Sequence, residues 1–222
     1  EINYSDDAYW TTDRWKNIGT GTPSAKVNMS QETDAPSGFK YSTKFAVHTT
    51  DTDITTGQAW RVEQHIEARN LRHLNWTLNN ADAKEVTLSF WVKSNKTGIY
   101  CISLEKSDNT RYDYTAEYTI SSANTWEKKT ITIVPDSNIQ ASGGAIDNDN
   151  GIGFTLWINA YQGSNYFSGS YTANDWNAES GSYMFAGSPT TTWGTTEGAT
   201  WDITGFQLEV GSQATAFEHL TH

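Results

Sequence analysis

Between residues 164 and 200 the chain sets Tyr166, Phe167, Tyr171, Trp176, Tyr183, Phe185 and Trp193 among Gly, Ser, Thr and Asn. The stretch follows no regular period and carries far more aromatic surface than a solvated loop needs. Flat rings beside short amide, carboxylate and hydroxyl groups suit the stacking of rings on sugar faces, with hydrogen bonds to the sugar hydroxyls. Trp176 and Trp193 are the first candidates for such a surface. Tyr166, Tyr171 and Trp157 follow, with Asn165, Asn174 and Asp175 as neighbouring polar groups. The competing expectation is that these rings fold down over the open end of a sandwich as a satellite core.

Other residue patterns point to less. Asp147-Asn148-Asp149-Asn150-Gly151 has the alternating oxygens and following glycine of a loop that holds a hard cation, with Asp147 and Asp149 as calcium ligands. It lacks the downstream bidentate Glu, and the same residues are ordinary turn chemistry ahead of a strand. Hydrolysis of a glycosidic bond needs two carboxylates about 5 to 10 Å apart across a cleft. Glu63, Glu67, Glu105, Glu117, Asp175 and Glu179 are acids that no motif singles out, and a solvated acidic face explains them. His48, His65, His73, His219 and His222 show no metal-ligand spacing, and there is no G-x-S-x-G elbow. The only cysteine, Cys101, lies in an apolar run with no base beside it, which predicts an inert buried thiol and excludes an internal disulfide. No catalytic activity is expected.

Composition narrows the partners. A net charge of −11 disfavours phosphate backbones and anionic lipid surfaces, so nucleic acid is not an expected partner. Neutral glycans carry no such penalty. No segment approaches about 18 consecutive apolar residues and no basic-then-apolar leader stands out, so neither membrane insertion nor a signal peptide is expected. At 222 residues the chain fits one all-β domain, and 10 Trp, 11 Tyr and 8 Phe supply large buried areas despite an apolar fraction of 36%.

Short alternating runs separated by Gly, Asn, Asp, Ser and Pro clusters must position these groups, and this pattern predicts antiparallel β. In 85–93, Val86, Leu88, Phe90 and Val92 share one face opposite Thr87, Ser89, Trp91 and Lys93. The runs 151–161 and 111–120 alternate likewise, each predicting one core face and one wet face. Further strands are expected at 40–48, 59–66, 99–106 and 127–134, and short helical turns at 12–16 and 68–74. In the last strand Trp201 and Ile203 share one parity while Phe206, Leu208 and Val210 take the other, which predicts a bulge at Gly205.

The closing run I-T-G-F-Q-L-E-V-G-S-Q-A-T-A-F-E-H, residues 203–219, resembles the final segment of a jelly-roll domain of phage tail-fibre and other virion surface proteins, similar in layout to carbohydrate-binding modules. The resemblance extends to Tyr9–Trp15, Ala35–Phe39, Gln64–Ala68, Val86–Trp91 and Asn124–Trp126, and so covers nearly the whole chain. It departs from the pattern at Leu220, where an arginine and more chain would follow. The resemblance implies one jelly-roll β-sandwich of two antiparallel sheets over residues 1–222, excised from a longer virion protein. It also implies a structural calcium, other virion proteins as partners, a homotrimer in the virion, and host-surface glycan recognition. Trp10, Trp15, Trp60 and Trp91 fall in or beside its blocks and are expected to be structural. Two further readings stay open. In one the domain is a purely structural virion module using its aromatics for subunit contacts; in the other it is a polysaccharide-degrading enzyme or its accessory binding module, which a pair of carboxylates facing one aromatic-lined cleft would reveal.

Overall fold

Alternating runs become strands wherever one face finds a partner sheet. A computed structural model describes residues 8–12, 15–21, 25–140, 145–147, 149–166, 172–178 and 193–219. Among them lie β1 (Ala8–Thr12), β2 (Trp15–Thr20), β3 (Lys26–Glu32), β4 (Ser42–Thr49), β5 (Ala59–Glu67), β6 (Val86–Ser94), β7 (Gly98–Lys106), β8 (Tyr112–Ile120), β9 (Glu127–Ile133), β10 (Ile152–Gln162), β11 (Trp176–Ala178) and β12 (Thr200–Val210). They form a seven-stranded sheet in the order β1-β2-β5-β10-β7-β8-β11 and a five-stranded sheet in the order β3-β4-β12-β6-β9. All pairings are antiparallel. Apart from β1–β2, β3–β4 and β7–β8, consecutive strands are not neighbours. The chain keeps crossing between the sheets, as in a jelly roll.

The expected strands are present, and β1, β2, β3 and β11, which the sequence pattern does not predict, join them. The turn expected over 68–74 is a 3₁₀ helix, Ala68–Leu74, ended by Asn75 at φ 58°. Of residues 12–16, where a helical turn is expected, Thr12 closes β1 and Trp15 and Lys16 open β2, with Thr12 paired to Trp15; residues 13 and 14 lie outside the described residues.

Inward-facing aromatics fill the space between the sheets. Trp60 stacks on Trp193 at 5.5 Å and 14°, and Phe45 packs against both Trp60 and Trp201 at 5.4 and 5.6 Å. Farther along, Phe90 meets Tyr118 at 5.2 Å and Trp76 meets Phe154 at 5.1 Å. Such rings bury large areas per residue, which compensates for the low apolar fraction.

The phase slip in the last strand is a bulge. Register between β12 and β6 shifts between Thr204 and Gln207, and Gly205 takes φ +64°. A Cβ at Gly205 would stand 2.5 Å from Phe39 Cζ, so a residue without a side chain is required on both conformational and steric grounds. Beyond the bulge Phe206 turns inward and lies parallel to Phe90 at 4.9 Å.

The outer face of the seven-stranded sheet is not wet, contrary to the alternation. Thr155, Trp157, Ser103, Glu105, Asp113 and Thr115 all point there and all are buried. Alternation reports parity alone; whether the polar side stays open depends on what packs over it. On the same face, Cys101 is 2% exposed, and burial pushes its thiol up from 9.0 to about 12. The native protein should therefore show no thiol reacting with a disulfide reagent at pH 8, and one per chain after denaturation. The neutral thiol contributes stability in full below pH 9 and progressively loses it toward pH 12. Rapid native labelling would contradict this burial.

Candidate functional site

A cavity of about 320 Å³ opens where β2 and β5 of one sheet part from β3, β4 and β12 of the other. Phe45, Val62 and Ile203 are its buried floor, and Trp15, Met29 and Phe206 its half-buried walls. Trp15 meets Phe206 edge-on at 5.5 Å. The rim carries Tyr41, which is 39% exposed, with Gln31, Thr43 and Gln64. Ser42 and Thr204 also line it, and their hydroxyls donate to the carbonyls of Asp34 at 2.6 Å and Tyr41 at 3.0 Å. The side chains of Gln31, Thr43 and Gln64 make no hydrogen bond among the described residues, so their donors and acceptors are available. No charged residue is among the described residues lining the cleft. Aromatic walls with uncharged amides and hydroxyls fit a neutral polyol and give an ion no compensation for its lost hydration.

Most of the residues singled out in the sequence lie elsewhere. Trp193 is fully buried against Trp60. Trp176 is 5% exposed; its indole donates to the Val134 carbonyl at 2.9 Å and its ring packs on Trp76 and Tyr114. Both are core residues and neither presents a face to a ligand, because the apolar ends of the sandwich need capping. Tyr166, 9% exposed, donates to the Gly57 carbonyl at 3.0 Å and packs with Ala59 and Trp157. Asn174 and Asp175 are exposed turn residues. Asn174 has φ 59°, and Asp175 accepts the Trp176 N–H at 2.9 Å. Asn165 lies in the short 3₁₀ turn Ser164–Tyr166. Tyr171 lies outside the described residues.

Trp157 is 4% exposed on the outer face of the seven-stranded sheet, opposite Glu63 and Ser103. The Arg61 and Arg111 guanidiniums each lie 4.9 Å from its ring centroid, so cations occupy the faces that a sugar would need. Arg61 pairs with Glu63 at 3.4 Å, and Arg111 with Glu105 at 2.9 Å and Asp113 at 3.6 Å. Burial raises the Glu105 carboxyl, with Arg111 opposing, and lowers Arg61, with Glu63 opposing. Carboxylates thus share a face with an aromatic ring, but each is tied to an arginine in a buried ion network. Such networks are costly to break and contribute little net stability.

The described acids of the acidic loop, Asp147 and Asp149, accept hydrogen bonds from their neighbours. Asp149 accepts the Gly151 N–H at 2.8 Å in a turn, and Asp147 accepts from Asn109 at 3.3 Å. The cation beside them is the protein's own. Lys106 is fully buried and its ammonium donates to the carbonyls of Asp108 and Thr110. Among the described residues no three His, Cys, Asp or Glu side chains are gathered to hold a metal.

No family model matches the chain, and no curated protein matches it. Similar solved structures are carbohydrate-binding modules and a phage tailspike domain. The enzymatically active domain of bacteriophage CBA120 tailspike protein 4 has a TM-score of 0.46 at 13% identity; the match covers 94% of this chain and 21% of that one. The family 11 carbohydrate-binding module of a Clostridium thermocellum cellulosomal cellulase has 0.42 at 15% identity, covering 93% and 92% of the two chains. A family 61 module in complex with β-1,4-galactotriose has 0.40 at 12%, covering 95% and 99%. The chain thus spans about a fifth of the tailspike structure and nearly all of either module.

The cleft residues were not chosen from the sequence, and Trp15 was assigned to packing. Two signals could have found them: the phase slip at Gly205, and the polar residues Gln31, Thr43 and Gln64 within β3, β4 and β5.

Proposed function

We propose that the chain is a carbohydrate-binding domain of a phage virion appendage, and that it takes a neutral sugar ring in the cleft between β2/β5 and β3/β4/β12. The observation that carries this reading is the cleft's lining: Trp15, Tyr41 and Phe206 beside the unspent side-chain groups of Gln31, Thr43 and Gln64, with no charge among the described lining residues. Aromatic faces supply stacking, and amides and hydroxyls read the ring's hydroxyls. The virion placement is supported by the closing block of residues 203–219. Binding is proposed in preference to hydrolysis because Glu63, Glu105 and Asp113 are held in ion pairs on another face.

The test is a glycan-array screen followed by calorimetric titration of the best neutral oligosaccharide. Tyr41→Ala and Gln64→Leu should each weaken binding at least ten-fold, about 1.4 kcal/mol. Tyr41 stands on the rim, so its loss should leave the melting temperature within about 2 °C of the parent. Saturable sugar binding that neither substitution affects would put the site somewhere other than this cleft.

A further inference from the structure

Trp91 stands on the solvent side of β6, between the buried Phe90 and Val92. It is half-buried, and its indole makes no hydrogen bond or ring contact among the described residues. Two residues before it on the same face, Ser89 is 3% exposed, and its hydroxyl has no hydrogen-bond partner among the described residues. A buried hydroxyl without a partner is costly, and a group entering from outside would complete it. Directly opposite Trp91 on β9 is Lys128, a pairing that sets the lysine side chain beside the indole on one face.

The chain's closing segment makes the other wall. Thr87 donates to the Gly211 carbonyl at 2.6 Å, and the Glu218 N–H donates to Gln207 Oε1 at 2.8 Å, which straps residues 211–219 across the outer face of the five-stranded sheet. This brings Phe217 and His219 against Phe39, with centroids 4.9 and 5.3 Å from it. Trp91, Ser89, Lys128, Phe39, Phe217 and His219 line a cavity of about 300 Å³ between strap and sheet. The slot lies outside the five-stranded sheet and the end cleft lies between the two sheets, so they are separate places on the molecule.

The slot is locally positive on a chain whose net charge is −11. No acid is among its described lining residues. On the same sheet Lys93 pairs with Asp34 and Asp202, and Lys129 with Glu127, but no carboxylate pairs with Lys128 among the described residues. Its ammonium makes one long bond, 3.4 Å to the Thr215 carbonyl, out of the three it can donate. Glu209 lies within its field, but that carboxyl is held below the usual range first by the Thr215 hydroxyl and last by Lys128.

We propose that the Trp91 slot is a separate site for an acidic sugar residue, a uronate whose ring lies on the Trp91 indole, with a hydroxyl on Ser89 and its carboxylate on Lys128. The free indole supplies a stacking face, the orphan hydroxyl a hydrogen-bond partner, and the unspent ammonium a charge-assisted bond. A hexuronic acid presents the three matching groups on one six-membered ring. A plain carboxylate would leave the indole and Ser89 unanswered, and a neutral hexose would leave Lys128 so. The site does not rest on the end cleft being a sugar site.

The experiment follows the Trp91 indole N–H of the whole chain by NMR, assigned from its loss in Trp91→Phe. The titrants are methyl β-D-glucuronide, methyl β-D-glucoside and sodium acetate at fixed ionic strength. The two glycosides differ only at C6, so their ratio isolates the carboxylate. The glucuronide should shift the resonance saturably with a Kd on the order of 1 mM, the glucoside should bind about five-fold more weakly, and acetate should not move it. Lys128→Gln should bring the two glycosides to equal affinity. Lys128 is exposed, so this substitution should leave the melting temperature unchanged. Followed by the Ser89 amide, Trp91→Tyr should keep the preference and Trp91→Ala should abolish binding. Equal binding of both glycosides to the parent, a preference that survives Lys128→Gln, or a Trp91 resonance that neither glycoside moves would each overturn the proposal. A shift with acetate as large as with the glucuronide would make the slot a plain anion site and overturn it as a sugar site.

Discussion

Trp193→Ala is expected to cost about 3–5 kcal/mol of folding stability, the range for truncating a fully buried large aromatic. Trp193 is 0% exposed and lies parallel to Trp60 at 5.5 Å, and Trp60 in turn holds Phe45 and donates to Asn17 at 2.7 Å. Removing the indole leaves a cavity beside this aromatic column, and the flanking strands are tied into both sheets and cannot collapse into it. For a chain of this length the loss should lower the melting temperature by roughly 10 °C. Sugar affinity of the fraction that remains folded should be unchanged, since Trp193 lines neither cavity. A variant that melts like the parent but fails to bind sugar would reverse the assignment and make Trp193 a contact residue.

Gly205→Ala should produce the second largest effect, a loss of about 1–3 kcal/mol. Two costs combine. Alanine at φ +64° carries the penalty of the left-handed region, and its Cβ would stand 2.5 Å from Phe39 Cζ and push that ring aside. The costs can be separated because the steric part depends on Phe39 while the backbone part does not. In a Phe39→Ala background the same substitution should cost only about 1 kcal/mol, which a double-mutant cycle measures as strong coupling. Strict additivity would show that Phe39 is not the obstacle. Since Gly205 lines the cleft, displacement of its neighbours in the variant should also weaken sugar binding there.

These two positions show how far the sequence carries. Gly205 was legible because a change of parity inside an apolar run can be accommodated only by a bulge, and the slip between Ile203 and Phe206 marks the place. The inward faces of β6, β8 and β10 were legible for the same reason. β3 was missed because Lys26–Glu32 is largely polar and becomes a strand by pairing with β4, a tertiary cause. For the aromatic-rich stretch the sequence left two readings open, a sugar-facing surface and a satellite core, and the described rings Tyr166, Trp176 and Trp193 are buried. Density of rings in an irregular segment is the same whether they face solvent or cap a core, and Trp176 and Trp193 cap it.

The site itself depends on contacts between residues far apart in the chain. Trp15 meets Phe206, Phe39 meets Gly205 and Phe217, and Arg61 and Arg111 close on Trp157. By itself the sequence determined the all-β class, most strand positions, the parity of their faces, the bulge and the inert cysteine, because these follow from local periodicity and backbone geometry. Only the tertiary structure decided which outward rings stay open: Trp91 and Tyr41 remain available, while Trp157 is enclosed by guanidiniums and Trp193 by Trp60. The physical reason is that a side chain's exposure is set by what packs over it from distant segments, and period-two alternation carries no information about that.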